Sequence, residues 1–201
     1  MKIAILFAAF ALCACATPYD PPAPVGEAGF AYIVASGTRI ETTHRLRFAI
    51  SAARPARVAG PIHRRDTFNG RPYEISLAAI LFARSAVVVH AERVADGSGA
   101  SDYDALAVSD WPAPSFRRTP ASCLTIPHED VVGEHDLDWL NRNGFDPAGD
   151  IYYQQYFATT ADHNDEIVVT LMARTAGCAD GADADIALQS LREAVAVLGL
   201  S

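Results

Sequence analysis

The alternation of apolar and polar positions predicts strands along most of the chain. Residues 40–50 place mainly apolar side chains at every second position and mainly charged ones between them, which is the period of a half-buried strand. Residues 30–35 alternate in the same way and precede the turn Ser36-Gly37, so the two segments are predicted to form a hairpin. Further strands are predicted over residues 86–94, 122–126, 151–159 and 166–175. The last two should pair antiparallel because a short turn joins them.

A helical period appears near the end of the chain. Apolar residues recur there at the spacing of a helix face: Ile186, Leu188, Leu191, Val195 and Leu198. They predict a helix that is capped by Asp183 or Asp185 and ends at Gly199.

The segment between the first strands and residue 86 lacks a clear strand or helix period. Three breaker pairs interrupt residues 51–72: Arg54-Pro55, Gly60-Pro61 and Asn69-Gly70. They predict an ordered loop region with a short strand near Thr67–Phe68. Residues 73–83 fit a short helix or a buried strand, and we favour the helix.

Strands outnumber helices in these predictions, and no strand-helix-strand alternation occurs. The predicted fold class is therefore α+β, with an antiparallel sheet of about five or six strands and a C-terminal helix packed on one face. Residues 28–201 have the length of one globular domain, and half of the chain is apolar (50%), which allows a proper core.

The first 15 residues have the composition of a secretory leader. Lys2 is the only charged residue before Asp20, and residues 3–11 form an unbroken apolar run. A positive start, a short apolar core and small residues are typical of a cleaved signal peptide. The run is too short to span a bilayer, which takes about 20 apolar residues.

The end of the leader, Leu12-Cys13-Ala14-Cys15, resembles the lipobox of bacterial lipoproteins. The resemblance covers residues 1–15, and Cys13 is an unusual small residue at the second position. It implies that residues 1–14 are removed as a signal peptide and that Cys15 then carries acyl chains that anchor it in a lipid bilayer. The alternative is an ordinary secretory peptide that is cut after Ala16.

The residues after Cys15 fit an anchored domain. Residues 15–27 are rich in proline and lack an apolar period, so they are predicted to form an extended spacer. Ala16, and not Asp, follows the cysteine. In the lipoproteins that this leader resembles, that implies transport to the periplasmic face of the outer membrane rather than retention in the inner membrane.

Two cysteines remain in the mature chain, Cys123 and Cys178. In an exported protein such a pair predicts a disulfide, because the compartment is oxidising. The bond would stabilise the fold by about 4 kcal/mol through the entropy of the unfolded chain. A reactive or metal-binding thiol pair is the alternative, but neither cysteine belongs to a C-x-x-C motif.

The formal net charge of −8 argues against a nucleic-acid partner, which needs clustered basic residues. The charge is unevenly spread: residues 30–93 contain ten Arg and four acids, whereas residues 94–201 contain five Arg and eighteen acids. We interpret this as pairing of the two halves across a shared sheet. The alternative is an anion-binding face, with these candidates: Arg39, Arg45, Arg47, Arg64 and Arg65.

Three histidine-containing patterns are candidates for chemistry. His44 falls on an apolar face and is interpreted as a core residue. His90 and Glu92 lie two residues apart on a predicted strand. They could act as an acid–base pair, but we interpret them as a polar pair on a solvated face, since no third orienting group is evident.

Possible metal ligands are densest between residues 128 and 138: His128, Glu129, His135 and Asp136. The spacing is not that of the H-E-x-x-H zinc motif. A metal site is therefore the less favoured interpretation. We expect a polar loop around a short helix at residues 137–142, capped by Asp136.

Two classes of function remain open. The first is a membrane-anchored envelope lipoprotein that acts as a non-enzymatic binding or assembly accessory to an envelope protein. The second is a lipid-tethered hydrolase or metal-dependent enzyme that uses the residues 128–138 or the pair His90 and Glu92. The sequence contains no G-x-S-x-G, P-loop or zinc-helix motif, so we favour the first class and predict no cofactor.

Overall fold

A computed structural model of the chain describes residues 29–99, 102–178 and 181–200. The predicted signal peptide, Cys15 and the proline-rich spacer lie outside these residues. Within them, no helix is long and apolar enough to cross a membrane.

The described residues form twelve strands and three helices. Their bounds in chain order are β1 (Ile33–Ser36), β2 (Arg39–Thr42), β3 (Phe48–Ala52), β4 (Arg57–Phe68), β5 (Arg71–Leu81), β6 (Ser85–Val94), β7 (Ala107–Val108), β8 (Arg117–Arg118), β9 (Ser122–Ile126), α1 (His128–Gly133), α2 (His135–Arg142), β10 (Gly149–Thr159), β11 (Asp165–Arg174), α3 (Gly181–Glu193) and β12 (Val195–Leu200).

The strands form two antiparallel sheets. The smaller sheet has the order β1-β2-β3-β12, and the larger has eight strands in the order β4-β5-β6-β11-β10-β8-β7, with β9 also paired to β10. Strand accounts for 49% and helix for 15% of the described residues, so this part of the chain is mostly β. The predicted antiparallel strands and the packing of the C-terminal helix on a sheet are confirmed. The prediction of one sheet with five or six strands is wrong.

The larger sheet is the middle layer of the fold. On one face, residues of its central strands such as Val89 and Val169 pack against Ile40 and Ile50 of the smaller sheet and against Leu188 of α3. On the other face, a second set of residues packs against the helices α1 and α2. This second core includes Leu77, Ala79, Val88, Met172, Val131, Leu137, Trp139 and Leu140. The central strands β5 and β6 are therefore covered on both faces.

The extra strands come from the segment that we predicted as loop and helix. Asn69 and Gly70 both have positive φ, at 51° and 77°, and form the tight turn between β4 and β5. Gly60-Pro61 lies within β4 at a shift of register between Ala59 and Ile62, and an edge strand tolerates proline at such a bulge. Residues 71–81 form a buried strand and not a helix.

The boundaries of the strand predicted at residues 40–50 also differ from the prediction. The expected strand at 40–50 is divided into β2 and β3 by a turn at residues 43–47. His44 lies in this turn with its ring nitrogens 2.9 Å and 3.0 Å from the carbonyl oxygens of Leu46 and Glu166. It is buried, as expected for a core residue.

The C-terminal helix is shorter than predicted. It ends at Glu193, and Val195–Leu200 instead form β12, which pairs with β3. Val195 and Leu198 thus belong to a strand, and Ile186 is 69% exposed on the outer side of α3. Asp183 lies inside the first helical turn and does not cap the helix.

The disulfide between Cys123 and Cys178 is formed, as predicted. Cys123 lies on β9 and Cys178 lies in the segment that precedes α3. The bond therefore ties the entry of the C-terminal helix to the middle of the chain.

Candidate functional site

Charged side chains collect on the face of the larger sheet that α1 and α2 cover. Arg64 on β4 and Glu92 on β6 both lie beside Ile75 of the intervening strand β5, and His90 lies beside Leu77 of that strand. Side chains at every second position of a strand share a face, so Arg64, Glu92 and His90 point to the same side. Asp136, in the first turn of α2, contacts Arg64 and His90 from the helix that covers this face. We call Arg64, Asp66, His90, Glu92 and Asp136 the polar cluster.

Arg64 binds two carboxylates of the polar cluster. Its Nε lies 3.3 Å from Asp136 Oδ1 and its Nη2 lies 3.2 Å from Asp136 Oδ2, which is a two-point contact. Its Nη1 donates to the carboxylate of Asp66. The Arg64 side chain is only 13% exposed, so solvent screens these contacts weakly.

His90 lies between the carboxylates of Glu92 and Asp136. Its Nδ1 donates to Glu92 Oε1 at 2.9 Å, and its Nε2 lies 3.8 Å from Asp136 Oδ2. Burial alone would lower the pKa of His90. The hydrogen bond to Glu92 and the negative charges of Asp136 and Glu92 outweigh that effect, so the pKa of His90 is raised above its usual value.

The carboxyl groups at the edge of the cluster respond in opposite directions. Burial would raise the pKa of Asp136, but Arg64 and His90 hold it below its usual range. Burial raises the pKa of Glu134, and the charges of Asp136 and Asp130 raise it further. The opposing effect of Arg64 is too small to reverse the shift. The arrangement therefore keeps Asp136 ionised next to two cations.

A further acid faces the polar cluster from β11. Glu166 lies directly opposite Glu92 in the strand register. The hydroxyl of Tyr103 donates to Glu166 Oε2 at 3.0 Å, and the Tyr103 ring stacks on Phe157 at a centroid distance of 4.1 Å. Sequence reasoning missed both Glu166 and Tyr103, because only the pairing of β6 with β11 brings Glu166 to Glu92.

The interpretation of His90 and Glu92 as a pair on a solvated face is wrong. Both are 7% exposed, because β6 is covered on both faces. A general base needs a ring nitrogen within reach of the proton it removes. In His90, both nitrogens already face carboxylates.

The candidate metal ligands are not brought together. His128 and Glu129 are exposed on α1, His135 is half-buried, and Asp136 turns toward Arg64 and His90. Among the described residues, no group of three or more His, Cys, Asp and Glu side chains could hold a metal ion. The short helix predicted around these residues is confirmed as α2, although Glu134 occupies the cap position and Asp136 the first turn.

The candidate anion-binding arginines are dispersed, and most contact acids. Arg39 pairs with Glu41 at 2.7 Å, Arg45 with Asp162 at 2.5 Å, and Arg65 with Glu74 at 2.9 Å. Arg47 is exposed, and Arg64 belongs to the polar cluster. Arg45 and Arg64 each pair with an acid of the second half of the chain, which agrees with pairing of the two halves.

Another buried histidine, His63, lies on the opposite face of the larger sheet. His63 Nδ1 lies 2.6 Å from Ser76 Oγ, and that oxygen also accepts the backbone N–H of Tyr32 at 2.9 Å. Among the described residues, His63 Nε2 is a buried nitrogen without a hydrogen-bond partner. Burial lowers the pKa of His63. Through these hydrogen bonds, His63 of β4 and Ser76 of β5 are linked to Tyr32, the residue just before β1.

No protein-family model, curated protein or solved structure matched the chain in three comparisons.

Proposed function

We propose that this protein is an exported envelope lipoprotein that acyl chains on Cys15 hold on a membrane. The observation that carries the proposal is Leu12-Cys13-Ala14-Cys15 at the end of an apolar leader. Two or three acyl chains on one residue bind a bilayer far more strongly than one chain, which alone gives marginal binding. Ala16 after the cysteine favours the periplasmic face of the outer membrane over the inner membrane.

The disulfide supports export. A bond between Cys123 and Cys178 persists in an oxidising compartment and is rare in a reducing one. The spacer of residues 15–27 would then hold the domain, whose described part begins at Gly29, away from the bilayer surface.

The domain itself is proposed to be a non-enzymatic binding or assembly accessory that acts on an envelope protein. The ionisable groups that sequence analysis offered for catalysis are engaged with each other: His90 faces Glu92 and Asp136, and Arg64 binds Asp136 and Asp66. Such saturated contacts favour a structural use of these residues over proton transfer to a substrate.

Cys15→Ser tests the lipid anchor, and Cys13→Ser is its matched control two residues away. In a two-membrane bacterial host fed with labelled palmitate, C15S should lose the label and leave the envelope fraction, because the variant has no thiol to acylate. C13S should keep the label and stay in the envelope fraction, because residue 13 is removed with the leader. A labelled, membrane-bound C15S protein would contradict the proposal.

The binding role is tested separately with the intact lipoprotein. Cross-linking in living cells, followed by capture of the wild-type protein from solubilised envelopes, should recover an envelope protein that C15S recovers less well. Failure to recover any envelope protein with a correctly acylated wild-type chain would contradict the binding role and leave the lipid anchor intact.

A further inference from the structure

The helices α1 and α2 have little stability of their own. They contain six and eight residues, and neither cap residue, Pro127 or Glu134, makes a side-chain hydrogen bond to its helix. Isolated helices shorter than about 12 residues are marginal in water. Their order therefore depends on contacts with the larger sheet.

Two kinds of contact hold them there. The apolar contact is made by Val131 of α1 and by Leu137, Trp139 and Leu140 of α2. The charged contact is made by Asp136, which reaches Arg64 on β4 and His90 on β6. The charged contact lies at the first turn of α2, next to the junction of the two helices.

The geometry around His90 favours a proton on each ring nitrogen. Nδ1 lies 2.9 Å from Glu92 Oε1, and Nε2 lies 3.8 Å from Asp136 Oδ2. A neutral imidazole has one nitrogen lone pair, which would face a carboxylate oxygen and repel it. When His90 is protonated, the positive charges of Arg64 and His90 balance part of the negative charge of the three carboxylates in the polar cluster. When His90 is neutral, Arg64 is the one cation of the polar cluster.

We propose that His90 is the proton-operated part of a latch that fastens the first turn of α2 to the larger sheet. The latch is closed while His90 is protonated. When His90 loses its proton at higher pH, Asp136 loses one of its two cationic partners, and α1 and α2 loosen from the sheet while the strands stay paired.

Other charged groups face this site from each neighbouring element. Arg64 and Asp66 come from β4, Glu92 from β6, Glu166 from β11, and Glu134, His135 and Asp136 from α2 and its cap. The arginine keeps its charge at all relevant pH values, and carboxylates are ionised near neutral pH. His135 is the other imidazole of the region and has to be tested beside His90.

The direction of the pH effect follows from the raised pKa of His90. A histidine whose pKa is higher in the folded than in the unfolded state stabilises the fold fully below its unfolded value of about 6.5. That contribution is lost as the pH rises through the folded value. The latch should therefore open at a pH above about 6.5, as the pH rises through the folded pKa of His90.

Fluorescence of Trp139 tests the latch in the full-length chain in detergent micelles. The chain has two Trp, and Trp111→Phe leaves Trp139 of α2 as the reporter. Acrylamide quenching of Trp139 should rise roughly twofold from about pH 6 to about pH 9, as expected for local opening. The far-UV circular dichroism of the strands should stay unchanged. The midpoint should coincide with the NMR titration of His90.

Two variants in this background separate the histidines. His90→Gln keeps a hydrogen-bond donor but has no charge, so quenching should be high and independent of pH. His135→Gln should keep the wild-type midpoint. The proposal is overturned if His90 titrates below pH 6.5, if Trp139 quenching does not change with pH, or if only H135Q removes the response. If H90Q does not fold, the His90 titration and Trp139 response of the otherwise native chain decide the question.

Discussion

Arg64 and Arg65 are neighbours on β4, and their side chains leave the strand on opposite faces. The Arg64 side chain is 13% exposed and binds Asp66 and Asp136, whereas that of Arg65 is 64% exposed and binds Glu74. A buried charge depends on its partners far more than an exposed one, because water solvates the exposed charge when the pair is broken. The same residue type therefore has two different energetic roles at adjacent positions.

Replacing Arg64 tests this difference. Arg64→Met should lower the free energy of unfolding by about 3 kcal/mol, because Asp136 is left buried without its two-point partner. Arg65→Met is the matched control and should cost less than about 1 kcal/mol. Urea denaturation of both variants at neutral pH measures the two values. Equal losses would mean that the polar cluster does not stabilise the packing of α2 on the sheet.

At the scale of elements, β4 is an edge strand with a bulge at Gly60-Pro61. Gly60 has φ +89°, and a Cβ atom there would lie 2.9 Å from the carbonyl oxygen of Leu77 and 3.1 Å from Ala78 Cα. The backbones of β4 and β5 thus approach too closely for a side chain at this position. The bulge shifts the register of β4, and beyond it Ile62 and Arg64 lie on the face that the helices cover.

Gly60→Ala should therefore destabilise the fold by more than its backbone conformation alone explains. Gly70 in the β4–β5 turn is the matched control, because it has φ +77° and nothing lies within 4 Å of a Cβ there. Gly70→Ala should cost about 1 kcal/mol, the usual cost of a left-handed conformation. Gly60→Ala should cost about 3 kcal/mol, since a backbone clash is added. Thermal or urea unfolding compares them, and a smaller loss for G60A than for G70A would contradict the close approach.

For the whole molecule, the disulfide joins two parts of the chain that are 55 residues apart. The loop it closes contains α1, α2 and the strands β10 and β11. On the chain-entropy model, a loop of this length stabilises the folded state by about 4 kcal/mol. The bond restricts the unfolded chain and leaves the packing of the sheets to the apolar cores.

The double variant Cys123→Ser/Cys178→Ser should lose about 4 kcal/mol of unfolding free energy. Circular dichroism should show the native strand content, because both sheets and their cores remain. The wild-type chain unfolded in reducing buffer is the control and should behave like the double variant. If the reduced wild-type chain is as stable as the oxidised one, the entropic account of this bond does not hold.

Local periodicity was sufficient for the strands that begin and end at clear turns. The predicted strands near β6, β9, β10 and β11 are present, as is the short helix α2. Periodicity failed for β5, because its nearly continuous apolar run fits a short helix as well as a strand that is covered on both faces. It failed for β4 because Gly-Pro is tolerated at a bulge in an edge strand.

At the candidate site, local sequence patterns identified the residues but not how they come together. The sequence singled out Arg64, His90, Glu92 and Asp136, but in three unrelated hypotheses: an anion face, an acid–base pair and a metal group. Arg64 and Asp136 are 72 residues apart, and only the packing of α2 on the larger sheet brings them together. Distances of that kind depend on which strands pair, which local patterns do not encode.

By itself, the sequence determined the composition of the first 15 residues, the positions of most strands and the two cysteines available for a disulfide. These depend on neighbouring residues, whose side-chain order and spacing are fixed by the covalent chain. Only the tertiary structure decided that there are two sheets, that β6 is buried on both faces, and that His90 lies between two carboxylates. Those features depend on which distant segments exclude water from each other, and burial then decides whether a charged side chain is a solvated surface group or part of an ion pair.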